Sequence, residues 1–182
     1  TLQNFALYGL IPNAGVGCRI PEEVAKTVND GVFNYGAYTA GGRLRFSTDS
    51  PFVALKVEYG KGSVPTVNNH CVSYGFDLYR MEDGVEVFVA AARPVAGFDY
   101  QYAEYKMQTS NAGKQYAYTL NFPTFTQLKS LQIGIEKGST IAPGAAYRNP
   151  EPVVYYGSSI THGAAAGRPG NTYESFISQQ YN

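Results

Sequence analysis

Between Arg43 and Glu136 the apolar residues recur, run after run, at every second position, the period of a strand with one buried face. Leu44 and Phe46 alternate with Arg43, Arg45 and Ser47. Val53, Leu55, Val57 and Tyr59 alternate with Ala54, Lys56 and Glu58, and Asp49-Ser50-Pro51 joins the two runs. Gly75 to Glu82 and Val85 to Ala91 flank Asp83-Gly84, the strongest short hairpin signal, which puts Val85, Val87 and Val89 on one face. Tyr116, Tyr118, Leu120 and Phe122 follow a turn at Asn111-Ala112-Gly113 and stop at Pro123; Leu131, Ile133 and Ile135 make the last run. At least six strands with no long helix between them predict antiparallel sheets packed face to face. The fold class is therefore mainly β, a jelly-roll-like antiparallel β-sandwich over residues 1–145. Residues 1 to about 40 are irregular, broken by Pro12, Pro21 and several glycines, with at most a turn or two of helix from Glu22 to Val28.

The composition narrows the function classes. Of 182 residues, 44% are hydrophobic and 15% charged, enough for a core and too little charge for disorder. Fourteen basic residues balance fourteen acidic ones, so neither nucleic acid nor an anionic membrane surface is an expected partner. No apolar run approaches 18 residues, so no membrane span is expected, and the first residues lack the pattern of a signal peptide. Cys18 and Cys71 make no disulfide framework and are expected to stay free; their neighbours offer no metal-ligand spacing, so no metal is expected. Sixteen Tyr and ten Phe suit half-buried sheet surfaces, and such rings also suit contact with sugars.

The pattern changes after Ile141. Ala142-Pro143-Gly144 and Asn149-Pro150-Glu151-Pro152 read as a connector. Val153-Val154-Tyr155-Tyr156 is a continuous apolar run, as in a parallel strand buried on both faces. Gly157 ends it, and a Gly/Ala-rich loop leads to Asn171-Thr172-Tyr173-Glu174, spaced like a capping box. Tyr173, Phe176, Ile177 and Gln180 then continue at helical spacing. Residues 146–182 are thus expected to be a connector and the incomplete opening of an α/β domain.

Two motifs carry a resemblance. Gly75-Phe76-Asp77-Leu78-Tyr79 resembles the GxDLY motif of the N-terminal domain of bacterial SGNH-type esterases. Gly157-Ser158-Ser159-Ile160-Thr161-His162-Gly163 resembles the first block of SGNH (GDSL-like) hydrolases, with Ser158 where that pattern has Asp. Their order matches that family's layout, β-rich domain first. The resemblance implies that Ser159 is the nucleophile and that its backbone N–H is one oxyanion donor. It implies ester hydrolysis through an acyl-enzyme, without cofactor, on carbohydrate-linked esters in a secreted or periplasmic setting. The oxyanion Gly and Asn and the Asp-x-x-His block of such enzymes cannot be assigned in these residues. The partner is then a missing C-terminal hydrolase region, and these 182 residues alone are expected to be inert, because a serine hydroxyl needs a positioned base.

Other candidates stand beside Ser159. His162 is expected to be a loop histidine at the crevice rim rather than a base. His70 adjoins Cys71, but neighbours in a strand face opposite ways, which argues against a Cys–His pair. Asp77 is expected to make a structural hydrogen bond at the sheet rim. Phe98, Tyr100 and Tyr102 alternate, with Tyr105 behind, and put three rings on one strand face, either as core or as a platform for sugar rings. Arg168, in Arg168-Pro169-Gly170, is open to substrate contact or to pairing with a carboxylate. The other reading of the whole chain is a glycan-binding or protein-docking sandwich that never catalyses.

Overall fold

The computed structural model describes residues 4–11 and 17–181; Pro12, one of the expected breaks, lies outside them. Among the described residues nine strands form two sheets, antiparallel at every pairing. The larger holds β1 (Ala6–Tyr8), β2 (Arg43–Thr48), β7 (Tyr116–Asn121), β4 (Phe76–Glu82) and β5 (Val85–Ala92), in that spatial order. Its sixth strand, β9 (Ile141–Pro143), lies beside β1 along the same edge of β2: β1 pairs Arg43 to Arg45 and β9 pairs Phe46 to Thr48. The smaller sheet is β6 (Tyr102–Gln108), β3 (Phe52–Gly62) and β8 (Thr126–Gly134).

The core lies between the sheets and follows the alternation. Leu44, Phe46, Val53, Leu55, Val57, Tyr59, Phe76, Leu78, Tyr118, Leu120 and Phe122 are at most 2% exposed and form one cluster. Each such side chain contributes roughly 1.5–3 kcal/mol of transfer energy, which makes this cluster the main stabiliser of the chain. Asp83 (φ 49°) and Gly84 (φ 83°) turn the β4–β5 hairpin in the left-handed region that a two-residue turn of this hand requires.

Several expectations need correction. Val89 does not share a face with Val85 and Val87: the register shifts between Leu78 and Tyr79, so Val89 falls in a bulge and packs on the core. Arg45 is buried, because the chain after β9 crosses the outer face of β2 and sets the Tyr147 ring 4.2 Å from the guanidinium. Phe98 and Tyr100 lie in the loop before β6, which starts only at Tyr102. The N-terminal stretch carries β1 and two short helices, α1 (Glu22–Ala25) and α2 (Asp30–Gly36), the second capped by Asn29. His70 and Cys71 belong to a helix, α3 (His70–Tyr74), capped by Asn69, and not to a strand.

The expected parallel strand is absent from the described residues. Val153, Val154 and Tyr156 are 73%, 84% and 102% exposed and pair with no strand. A buried parallel strand exists only through neighbours that take up its N–H and C=O groups, and none of residues 17–181 offers them. The helix does form, as α4 (Tyr173–Tyr181), but its cap moves by one residue. Asn171 is drawn into a 3-10 turn, Pro169–Asn171, and the Thr172 hydroxyl accepts the Ser175 N–H instead.

Candidate active site

The segment that follows Tyr156 makes a tight turn rather than an open loop. The His162 N–H donates to the Ser158 carbonyl (3.0 Å), Gly163 to Ile160 (2.9 Å) and Ala164 to Ser159 (2.8 Å). A Cβ on Gly157 would stand 2.2 Å from the Thr161 hydroxyl, so only glycine fits before the two serines. Gly163 takes φ +99°, and a Cβ there would press on Thr172 (2.9 Å) and Thr124 (3.1 Å). Thr161 also bonds to the Tyr173 hydroxyl (3.1 Å), tying the turn to α4. Ser158, Ser159 and Ile160 are exposed on its outer side.

His162 points the other way, into the sandwich. One ring nitrogen, Nε2, lies 2.7 Å from the Thr124 carbonyl, which can only accept, so Nε2 carries the proton. Nδ1 then accepts from the Arg19 guanidinium at 3.3 Å. The ring lies 4.3 Å from that of Phe125. Burial, aided by the Arg19 charge, lowers its pKa to about 4. With both nitrogens engaged and the ring neutral, His162 is an anchor and has no free lone pair for Ser159. His70 is no better placed, since its Nε2 bonds to the Tyr100 hydroxyl (2.8 Å). Cys71 is buried, and burial pushes its thiol up to about 11, away from the thiolate a nucleophile needs. Cys18 and Cys71 are not joined in a disulfide.

The far end of the loop is held by the motif in β4. Phe76 and Leu78 face the core, so Asp77 and Tyr79 face outward, onto residues 168–170. Asp77 is fully buried. Its Oδ2 accepts the Gly170 N–H (2.8 Å) and lies 3.3 Å from Arg168 Nε, too poorly aligned to count as a hydrogen bond; Oδ1 accepts from Asn121 (3.0 Å). Burial raises its carboxyl to about 6, against the pull of Asn121, Gly170 and Arg168. Arg168 also donates to the Tyr79 hydroxyl (3.1 Å) and stacks 4.1 Å from the Phe88 ring. Gly75 begins the motif because a Cβ there would meet the carbonyls of Cys71 and Ala92 at 2.5 and 2.6 Å.

Sequence reasoning therefore located Ser159 on an exposed turn, and gave Asp77 a structural bond without its partner. Of the two readings left open for Arg168, the geometry supplies the carboxylate. Arg19, Asn68, Asn69 and Thr124, which also hold the loop, were missed. The Asn69 cap had a local signal; the others bond across more than 90 residues or, for Thr124, through a carbonyl that no side-chain pattern reveals.

The aromatic candidates separate. Phe98 and Tyr100 meet edge to face at 5.1 Å, and both meet Tyr74 (5.5 and 5.1 Å), which packs on Tyr59. Phe98 is half-buried and Tyr100 is 46% exposed beside His70. Tyr102 lies on the outer face of the smaller sheet, with Lys56 and Glu104, while Tyr105 turns inward to Tyr59. The three rings do not share a face. A shallow groove of about 470 Å³ is lined by Asn69, Arg93, Gly167 and His70, the partner of Tyr100. Among the described residues no three His, Cys, Asp or Glu side chains gather as a metal site would need.

Comparison with known proteins gives a consistent picture. Residues 12–141 match the family described as GxDLY, the N-terminus of SGNH-hydrolase-type esterases. A Bacteroides ovatus protein described as a GDSL-like lipase superposes with a TM-score of 0.88 at 26% identity, over 97% of this chain and 51% of that one. A salicylyl-acyltransferase from a tetracycline biosynthetic pathway shares the fold, with a TM-score of 0.65 at 22% identity, over 97% of this chain and 49% of that one. The chain thus spans about half the length of these solved structures. No curated protein matches it.

Proposed function

Because the chain belongs to the GxDLY family, the N-termini of SGNH-hydrolase-type esterases, we propose that it is the N-terminal half of a serine esterase whose nucleophile is Ser159. The observation that carries this is the exposed Ser159 on a turn of fixed backbone, with the loop behind it bonded into the sandwich. Ser159 gives its proton to a base and attacks the ester carbonyl, and its own N–H donates to the developing oxyanion. The C–O bond breaks as the alcohol leaves with that proton, and water then releases the acid from the acyl-enzyme. The base and the remaining oxyanion donors come from the region that follows. Its docking surface is the exposed apolar set of Val153, Val154, Tyr156, Ile160 and Phe176. Residues 1–145 act as one domain and 146–182 as the opening of the next. Alone the chain is inert, since both of its histidines are engaged elsewhere.

The substrate class that fits is a carbohydrate-linked ester, met outside the cytoplasm. Tyr100 supports this: it is an exposed ring, stiffened by Phe98 and Tyr74, and it bonds to His70, which lines a groove together with Gly167 of the nucleophile loop. Such a ring stacks on the apolar face of a sugar. In the full-length protein Ser159→Ala should lower ester hydrolysis by about three orders of magnitude or more, with the fold intact by circular dichroism. Tyr100→Ala should reduce turnover of a polymeric sugar ester more than that of a small soluble acetate. Full activity in Ser159→Ala overturns the nucleophile; equal losses on both substrates for Tyr100→Ala remove the sugar.

A further inference from the structure

The residues that grip the nucleophile loop come in order from one stretch of chain. Asn68 accepts the Ala165 N–H (2.9 Å), Asn69 donates to the Gly167 carbonyl (3.1 Å), and Asp77 and Tyr79 hold Arg168 and Gly170. The same stretch reaches the other end of the loop. The Val72 carbonyl accepts both the N–H (2.9 Å) and the hydroxyl (3.0 Å) of Thr124, whose own carbonyl receives His162. Residues 68–79 therefore run alongside 162–170 and bond to the loop directly at four places. The geometry is tightest at Asp77: a Cβ on Gly170 would lie 2.5 Å from Tyr79 and 2.9 Å from the Asp77 carboxylate.

Stability does not account for a carboxylate in this place. Burial raises its pKa, so its ionised form costs the fold free energy at neutral pH, with Glu86 adding to the cost. An apolar residue of similar size on β4 would avoid that cost but leave the Gly170 N–H and the Arg168 charge without their acceptor.

We propose that Asp77 is a positioning residue for the nucleophile: by holding Gly170 and Arg168 it fixes the end of the loop whose other end is Ser159. This deepens the reading of Ser159 as the nucleophile and rests on it only where activity is measured. Asp77 touches no reacting atom. It acts through the loop, so it alters how often the Ser159 turn is correctly aimed, which enters kcat rather than substrate affinity.

The test has two readouts. Hydrogen exchange on the 182-residue chain compares wild type with Asp77→Ala and with Gly170→Ala, which disrupts the same contact from the loop side with the sequence of β4 unchanged. Both should raise exchange about tenfold or more across residues 158–170, with the amides of Leu78 and Leu120 unchanged. In the full-length protein both should lower kcat on a small soluble ester by about ten- to a hundredfold at nearly constant KM, and the double variant should be no worse than the poorer single. Asp77→Asn, which keeps an acceptor for Gly170, should recover part of that loss. Wild-type exchange at 158–164 in both variants overturns the proposal, as does loosening that spreads equally through the sheets. If Ser159→Ala abolishes activity while Gly170→Ala leaves kcat within about twofold, the positioning role falls and the nucleophile stands. If Ser159→Ala is fully active, the nucleophile falls and the exchange pattern alone decides whether Asp77 holds the turn.

Discussion

The sandwich and the segment that follows it are held by opposite means. In the sandwich, apolar side chains are buried against one another between the sheets; Phe76, Leu78 and Leu120 are wholly enclosed. In residues 146–181 most large apolar side chains are exposed, Val153, Val154, Tyr156, Ile160 and Phe176 among them. Beyond the Tyr147 ring on Arg45, the contacts with the sandwich are largely polar: His162, Gly170, Arg168 and, from α4, Ser178 on Arg43. Hydrophobic burial does not depend on direction, whereas hydrogen bonds do. The first arrangement stabilises a body; the second aims a loop.

This contrast can be pressed at three points. Leu78→Ala should cost about 3–5 kcal/mol of unfolding free energy by urea titration, since it opens a cavity where both sheets meet. A cost below 1 kcal/mol would mean that the sandwich is not the stabilising body.

The polar anchors should show themselves through pH, with opposite signs. His162, lowered to about 4, favours the folded chain fully above the unfolded value of about 6.5, and that contribution is lost as pH falls toward 4. Asp77, raised to about 6, favours the folded chain only while protonated, so its contribution is full below about pH 4 and is lost as pH rises through 6. Urea titrations from pH 4 to 7 should therefore show His162→Gln flattening the acid limb by up to about 3 kcal/mol, and Asp77→Asn steepening it. Identical pH profiles in the two variants would erase the distinction between the two ends of the loop.

The smallest effect is expected from removing the segment altogether. A chain ending at Ala145 keeps all nine described strands and should still melt cooperatively, with a loss of about 1–2 kcal/mol from uncovering Arg45 and the outer face of β2. An unfolded or aggregated product would show that the segment is part of the core after all.

The same contrast decides what could be read from the sequence. Period-two alternation is a local record of burial, so β2, β3, β4, β5, β7 and β8 were legible, as was the Asp83-Gly84 turn. The bulge at Val89 was not, because a register shift depends on the partner strand. Val153 to Tyr156 carry the pattern of a buried strand, yet only neighbouring strands could make them one. The turn that exposes Ser159 was legible through Gly157. Asp77 was visible as a residue but not as a contact, because its partner Gly170 lies 93 residues on and advertises nothing beyond a missing side chain.

That separation also sets a sequence of events during synthesis. Among the described residues every strand of the sandwich lies before Gly144, and the sandwich residues that hydrogen-bond to the Ser159 loop lie between Arg19 and Thr124. A ribosome adding about 5–20 residues per second releases those residues seconds before Gly170 leaves the exit tunnel. The loop therefore emerges beside a surface that is already folded, and it can be seated as it appears.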